Sequence, residues 1–200
     1  MTKSNVFKRI LDISIILCII VKSLQLAIRV YDIFLLTFSK VESAGFLRQI
    51  HFLIKVLKVE TYVSYSTLIP FALLFSVWMF INYKAATKRS SNKLSYRPIW
   101  ALFCLIIPVF NFFAPYIILK EIWKVMNSDL SREKLGEFLI KTWWFLTIVL
   151  FIYSRFINSK IQHSGNFNDL LTLQYYSAVL YLLSVHYFLV LRKMVKMVNG

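Results

Sequence analysis

The feature that most constrains this chain is a set of long apolar runs with almost no charge. The clearest is Tyr62–Tyr83, because no charged residue lies between Glu60 and Lys84. An α-helix needs about 20 apolar residues to cross a bilayer core of ~30 Å, and every backbone hydrogen bond must be satisfied there. The 200 residues are 58% hydrophobic, whereas soluble domains average about 45–50%. The sequence therefore predicts an all-α, polytopic helical membrane protein.

Four runs are predicted to be transmembrane helices within one integral-membrane domain that covers residues 1–200. Their approximate ranges are 10–36, 62–83, 139–157 and 170–191. A further segment, about 43–60, places apolar and basic residues on two different helical faces. This pattern predicts an amphipathic helix in the membrane interface. The alternative is a helix of the kind that binds calmodulin or nucleic acid.

The segment 98–119 is apolar but does not have the composition of a straight transmembrane helix. It contains Pro98, Pro108 and Pro115, with Asn111 in its middle. Each proline removes a helical hydrogen-bond donor and favours a break. Non-helical backbone is tolerated at membrane depth where protein buries it or where it lines a cavity. We therefore predict a re-entrant or broken segment, and the alternative is a fifth span.

The positions of the basic residues favour four spans over five. With four spans and both termini inside, the inside segments carry 16 Lys and Arg and the outside segments carry 5. With five spans the two sides carry 9 and 12, so the expected bias disappears. Cytoplasmic loops of membrane proteins are enriched in Lys and Arg. We therefore expect a multi-pass protein of the cell inner membrane with both termini cytoplasmic, whereas five spans would place the termini on opposite sides.

The first predicted span carries a polar stripe. Its four members are spaced i, i+3, i+7 and i+10, which places them on one helical face; they are Lys22, Gln25, Arg29 and Asp32. A charge at the centre of a bilayer costs about 2.5–3.5 kcal/mol on insertion scales. The stripe should therefore face the bundle interior, a water-filled cavity or a partner subunit. The alternative is snorkelling to the interface together with a local Arg29–Asp32 pair.

The last predicted span repeats this spacing, with Gln174, Ser177, Tyr181 and Ser184. Two spans with matching polar faces are expected to meet inside the bundle.

Several function classes find no support in the sequence. The net charge is +15, but in a membrane protein basic residues set topology and contact anionic lipids, so direct binding of nucleic acid is not expected. Cys18 and Cys104 lie in apolar runs without metal-ligand or disulfide spacing, and the three histidines are scattered. No phosphate-binding glycine loop or hydrolase motif occurs. We predict no enzyme activity, no catalytic or metal-binding residues and no cofactor.

The segment from Pro98 onward resembles a family of bacterial multi-span membrane domains of unknown function. Members share a basic loop, a P-x-W-A segment, P-x-x-N, and P-Y followed by a charged amphipathic helix with a Trp. The residues that carry the resemblance here are Pro98, Trp100, Ala101, Pro108, Asn111, Pro115, Tyr116, Glu121 and Trp123. The resemblance extends from about span 1 to the end. The chain departs from it where Phe103 and Cys104 replace the usual glycines. It implies an architecture but no activity.

The size, span number and basic character also resemble those of the small accessory membrane proteins encoded beside the RNA-targeting nuclease of type VI-B CRISPR loci. This resemblance implies a regulatory role in antiviral defence. We therefore predict a non-enzymatic accessory protein with a partner protein at the cytoplasmic face. The alternative is a pore or transporter component that acts as a homo-oligomer, because broken helices form transporter sites and Lys or Arg rings favour anions.

Overall fold

A computed structural model describes residues 3–38, 43–90, 94–105, 113–126, 130–161 and 167–199. In these ranges the elements are all α-helices. They are α1 (Lys3–Phe38), α2 (Ser43–Arg89), α3 (Pro98–Phe103), α4 (Ala114–Met126), α5 (Leu130–Ile161) and α6 (Phe167–Asn199). Four of them contain a segment long and apolar enough to cross a membrane: Val6–Thr37, Val59–Arg89, Glu133–Ile157 and Leu171–Val198. The prediction of an all-α protein with four transmembrane helices is confirmed.

Contacts between side chains fix the directions of the long helices. In α1 and α6, Asp12 pairs with Arg192 and Arg29 bonds to Gln174, so the two helices are antiparallel. The same reasoning makes α1 antiparallel to α2 and α5 antiparallel to α6. We call the end of the bundle with Asp12 and Arg192 the terminal end, and the opposite end the distal end.

A cluster of aromatic side chains joins α2, α5 and α6 in the bundle core. Phe75 stacks on Trp78 with ring centroids 5.5 Å apart, and its ring lies 6.0 Å from that of Trp143. Phe71 meets Phe188 of α6 edge to face at 5.2 Å. Such offset and edge-to-face pairs add stabilisation beyond the area they bury. They hold together three helices whose outer faces expose large apolar residues.

The last residues of α2 and the first residues of α5 lie at the same end of the bundle, the terminal end. Between them, α3 has 6 residues and α4 has 13. Tyr116 near the start of α4 lies 6.3 Å from Trp144, whereas Trp123 packs at the level of Gly136. Because Trp144 is near the middle of the apolar segment Glu133–Ile157, α4 begins at mid-depth and descends to the terminal end. The predicted broken segment is therefore present as two short helices, and α4 continues past its predicted end at residue 119.

The predicted amphipathic helix and the second predicted span form one continuous helix, α2, of 47 residues. No Gly or Pro occurs between residues 46 and 69 to end a helix, and α2 also continues through Pro70. At 1.5 Å per residue its length is about 70 Å, more than twice the bilayer core. The amphipathic part therefore extends from span 2 and is not a separate element. Most of its side chains lie outside the described residues, so its amphipathic character stays a prediction.

Candidate functional site

The polar stripe of α1 lies inside the bundle. Relative exposure is 8% for Lys22, 3% for Gln25, 0% for Arg29 and 5% for Asp32. These side chains meet polar groups of α2 and α6, and together they form what we call the distal network. Its other members are Glu60, Ser64, Gln174 and Tyr181. The expectation that this face points into the bundle agrees with the structure.

Arg29 is the centre of the distal network because it joins three helices. Its Nη1 donates to Asp32 Oδ2 at 3.1 Å and to Gln174 Oε1 at 2.9 Å. Its Nη2 pairs with Glu60 Oε2 of α2. A buried guanidinium is tolerated only where charge-assisted hydrogen bonds replace its hydration. The local Arg29–Asp32 pair predicted as the alternative is therefore present, but as one part of an interhelical arrangement.

Lys22 and Gln25 form the second half of the network, which lies farther from the distal end along α1. Lys22 Nζ donates to Gln25 Oε1 and to Ser64 Oγ, both at 3.0 Å. Gln25 Nε2 donates to Ser64 Oγ at 2.8 Å and to the Glu60 carbonyl at 3.1 Å. The ring of Tyr181 lies 5.3 Å from Lys22 Nζ, a cation–π distance. The ammonium is thus solvated by protein groups.

The formal charges of the network balance. Lys22 and Arg29 supply two cations, and Asp32 and Glu60 supply two carboxylates. Two of its atoms, Arg29 Nε and Glu60 Oε1, are buried without a hydrogen-bond partner among the described residues. Charges in a membrane interior are stable when they pair with one another. The network therefore joins α1, α2 and α6 through paired charges and hydrogen bonds.

Part of this network was predictable and part was not. The matching spacing of the last span identified Gln174 and Tyr181, which do join the α1 stripe. Ser184 instead donates within α6, to the Leu180 carbonyl at 2.8 Å. Glu60 and Ser64 were missed. A signal for Glu60 was present in the sequence. It is an acidic residue at the border of an apolar run, and the first predicted span contains two basic residues, Lys22 and Arg29, that need acidic partners.

The predicted structural segment is described at four of its six positions. Pro98 is the first residue of α3, where its missing N–H has no helical role. Trp100 is 37% exposed, Pro115 is buried near the start of α4, and Tyr116 lies beside Trp144. Pro108 and Asn111 lie outside the described residues, so the predicted role of Asn111 stays a prediction.

A second polar cluster, which the sequence did not predict as a site, fixes this segment to the end of α2. Glu121 of α4 accepts hydrogen bonds from the Tyr83 hydroxyl at 2.5 Å and from the Ser95 N–H at 3.0 Å. The Ser95 hydroxyl also donates to Glu121, and the Tyr96 N–H donates to the Tyr83 hydroxyl at 3.0 Å. We call these residues the terminal cluster. It links α2, the chain before α3, and α4.

Within the described ranges, no group of three or more His, Cys, Asp or Glu residues is arranged to hold a metal ion. Cys104 is buried, and this burial raises the pKa of its thiol to about 12, so the reactive thiolate is scarce at neutral pH.

The fold and the two polar clusters define a polytopic helical membrane protein with a charge-neutral buried network. Residues 51–200 match the DUF4328 family, a domain of unknown function. Because the match covers 150 of the 200 residues, the chain belongs to this family. The match agrees with the expected membership of a family of unknown function, while span 1 with the α1 stripe lies outside the matched residues, and the motif pattern stays a prediction. No curated protein and no solved structure gives a significant match.

Proposed function

We propose that this chain is a non-enzymatic accessory protein of the inner membrane that regulates a partner at its terminal end. The observation that carries the proposal is a concentration of exposed basic side chains at that end. They extend from the end of α2, through the end of α4 and the start of α5, to the end of α6: Lys84, Lys88, Arg89, Arg97, Lys120, Lys124, Lys134, Lys193 and Lys196.

This basic end fits a partner with acidic surface or an anionic leaflet, since positive patches steer and orient such partners. The buried cations of the distal network, Lys22 and Arg29, are neutralised by Asp32 and Glu60. They therefore do not contribute to a surface that a partner could contact. Most of the exposed basic side chains in the described ranges are therefore at the terminal end. By the positive-inside rule this end is cytoplasmic.

The finer proposal is that the partner is an RNA-targeting nuclease of a type VI-B CRISPR system. It is supported by the resemblance in size, span number and basic character. The test is co-expression of the chain with such a nuclease in a host challenged with a targeted phage, with plaque counts as the readout. We expect the protein to change interference, and a charge-reversed variant (Lys84→Glu, Lys88→Glu and Arg89→Glu) to lose the change.

The matched control for this experiment is Arg155→Glu, which reverses an exposed basic residue near the distal end. It should behave as the wild type. Equal interference with and without the protein would contradict the nuclease proposal. A triple variant as active as the wild type would contradict the role of the basic end.

The alternative function, an oligomeric pore or transporter component, rests on the broken segment that reaches mid-depth beside α5. Its test is leakage of ions and of a small dye from liposomes that contain the protein. Wild type is compared with the Lys22→Ala and Arg29→Ala variants. Absence of leakage from all of them would remove the pore, whereas leakage that depends on either cation would favour it over the accessory role.

A further inference from the structure

One narrow face of α6 stays exposed in the packed bundle. The helices α1 and α5 cover its other sides, through contacts such as Arg29 with Gln174 and Trp143 with Tyr187. From residue 172 onward, the exposed residues of α6 recur at alternating intervals of three and four, so they share one face. We call this face the outer stripe, and its members are Thr172, Tyr175, Val179, Leu182, His186, Leu189, Lys193 and Lys196. This period is the one by which two helices pack at a crossing angle of about 20°.

His186 is a polar residue near the middle of the outer stripe. The apolar segment of α6 extends over Leu171–Val198, so His186 is about 22 Å from one end of it and about 18 Å from the other. Its chain neighbours Tyr187 and Phe188 pack in the aromatic core. The imidazole itself is exposed on the outer surface, and none of the hydrogen bonds within the described ranges involves it. Ionisable residues inside spans almost always pair, because an unpaired polar group in hydrocarbon is costly.

Another ionisable group at a similar depth is held differently. Lys22 lies beside the ring of Tyr181 of α6, but its ammonium is buried and donates to Gln25 and Ser64. The imidazole of His186 lacks partners of this kind within its own chain. The outer stripe of a single copy is therefore incomplete as a lipid-facing surface.

We propose that the outer stripe is the interface of a homodimer, with the two His186 side chains paired at its two-fold axis. Copies inserted in the same membrane are parallel, so both place His186 at the same depth. A two-fold interface brings a residue near the axis against its own copy. A neutral imidazole has one N–H donor and one acceptor nitrogen, so one ring donates to the other. A Lys or Asp at this position would instead meet a like charge.

The rest of the outer stripe is compatible with this axis. Val179, Leu182 and Leu189 flank His186 and are apolar, so they pack without a further polar partner. Lys193 lies seven residues from His186, about 10 Å along the helix toward the terminal end. Helices that cross at about 20° diverge away from the crossing point. Long lysine side chains there reach outward to anionic headgroups.

The first test is disulfide cross-linking of the full chain in liposomes with copper phenanthroline. Leu182→Cys and Leu189→Cys place thiols on the outer stripe, at positions that are 56% and 48% exposed. The matched control is Leu73→Cys on the outer face of α2, which is 57% exposed. It lies at a similar depth, because Phe71 one half-turn away contacts Phe188. Both stripe variants should form covalent dimers, and the control should stay monomeric. Equal cross-linking of all three means random collision in the bilayer and overturns the interface.

The second test separates the histidine pair from general packing. Energy transfer between labelled copies, measured as the protein is diluted with lipid, gives the dissociation constant of the dimer. His186→Leu should weaken the dimer about three- to tenfold, since a hydrogen bond between membrane helices is lost. His186→Asn keeps a donor and an acceptor and should bind as the wild type does. Unfolding in dodecyl sulfate should be the same for both variants and the wild type, because the ring lies outside the bundle core.

The remaining outcomes overturn the proposal or part of it. A chain that is monomeric at every dilution overturns the homodimer and leaves His186 to lipid or to a different protein. A His186→Leu dimer as tight as the wild type removes the histidine pair, and so does a His186→Asn dimer as weak as His186→Leu. The inference does not rest on the accessory function, and neither readout involves a nuclease, so the two proposals can fail separately.

Discussion

The distal network and the terminal cluster each contain an acidic residue that accepts hydrogen bonds from another element, Glu60 and Glu121, yet the two join different parts of the molecule. In the distal network Glu60 is paired with a fully buried arginine and joins α2 to α1 and α6. In the terminal cluster Glu121 is only half-buried, and it accepts hydrogen bonds from the Tyr83 hydroxyl and from groups of Ser95. The first fastens transmembrane helices to one another, and the second attaches a broken segment to the end of a helix.

The difference shows how burial inside the bundle decides the contribution of a polar contact to stability. At the distal network water is excluded, so an unpaired charge has no alternative partner and the cost of breaking a pair is high. At the terminal cluster, water can replace a lost donor. The same carboxylate chemistry should therefore give a large effect on global stability at one end and a small, local effect at the other.

The largest expected effect is an all-or-none difference in labelling. It tests whether the two clusters lie on opposite sides of the membrane. Lys55→Cys and Lys124→Cys place single thiols at exposed positions near the distal and terminal ends. A membrane-impermeant maleimide added to intact spheroplasts should label Lys55→Cys and leave Lys124→Cys unlabelled. The native Cys18 and Cys104 are buried and should stay silent. Labelling of both variants from one side would contradict the placement of the two clusters on opposite sides of the membrane.

The second prediction concerns Arg29. Replacement by Met leaves Asp32 and Glu60 buried without their cation, so the free energy of unfolding should fall by about 3–5 kcal/mol. Unfolding in mixed micelles with increasing dodecyl sulfate, followed by tryptophan fluorescence, measures the loss. Adding Glu60→Gln and Asp32→Asn to Arg29→Met should restore part of the stability, since the unpaired charges are gone. An Arg29→Met variant as stable as the wild type would show that the network does not stabilise the packing of the helices.

The third prediction tests how the broken segment is held against α5. A Cβ atom at Gly136 would overlap the Trp123 ring. Gly136→Ala must therefore displace the ring, and the free energy of unfolding should fall by about 1–3 kcal/mol. The same micelle titration measures the change. Trp123→Leu in the Gly136→Ala background should remove the conflict, and Lys134→Ala, an exposed position of the same helix, is the control. Equal stability of Gly136→Ala and Lys134→Ala would show that α4 is not packed closely on α5.

The fourth prediction concerns the terminal cluster. Glu121→Gln keeps the shape but removes the charge from hydrogen bonds made by Tyr83 and Ser95, which should cost about 1 kcal/mol. The effect should be local. Hydrogen–deuterium exchange should increase at the Ser95 and Tyr96 amides while amides at the centre of α2 are unchanged. A loss as large as that of Arg29→Met would contradict the contrast between the two clusters.

The smallest effect is expected at the pair between Asp12 and Arg192. These side chains are each 32% exposed, and their closest atoms are 2.8 Å apart. Exposed ion pairs contribute about 0–1 kcal/mol, so Asp12→Asn should lower stability within that range. The loss should shrink further when salt is added, whereas the Arg29→Met loss should not. A salt-insensitive loss above that range would place the pair in a dry environment like that of Arg29.

The sequence by itself determined the class of the protein, the number of spans and the position of the break. Long uncharged runs leave a chain no soluble alternative, and three prolines in 98–119 prevent one straight helix. The period of the α1 stripe also indicated that Lys22, Gln25, Arg29 and Asp32 share a buried face, because helical geometry fixes which residues lie together.

Only the tertiary structure decided which groups these residues meet. Glu60 lies 31 positions from Arg29, and Tyr83 lies 38 positions from Glu121. No local period relates such residues, since their contact depends on the register at which two helices pack. The same holds for the continuity of α2. Sequence periodicity identifies the face of a helix that is buried, and packing selects its partners.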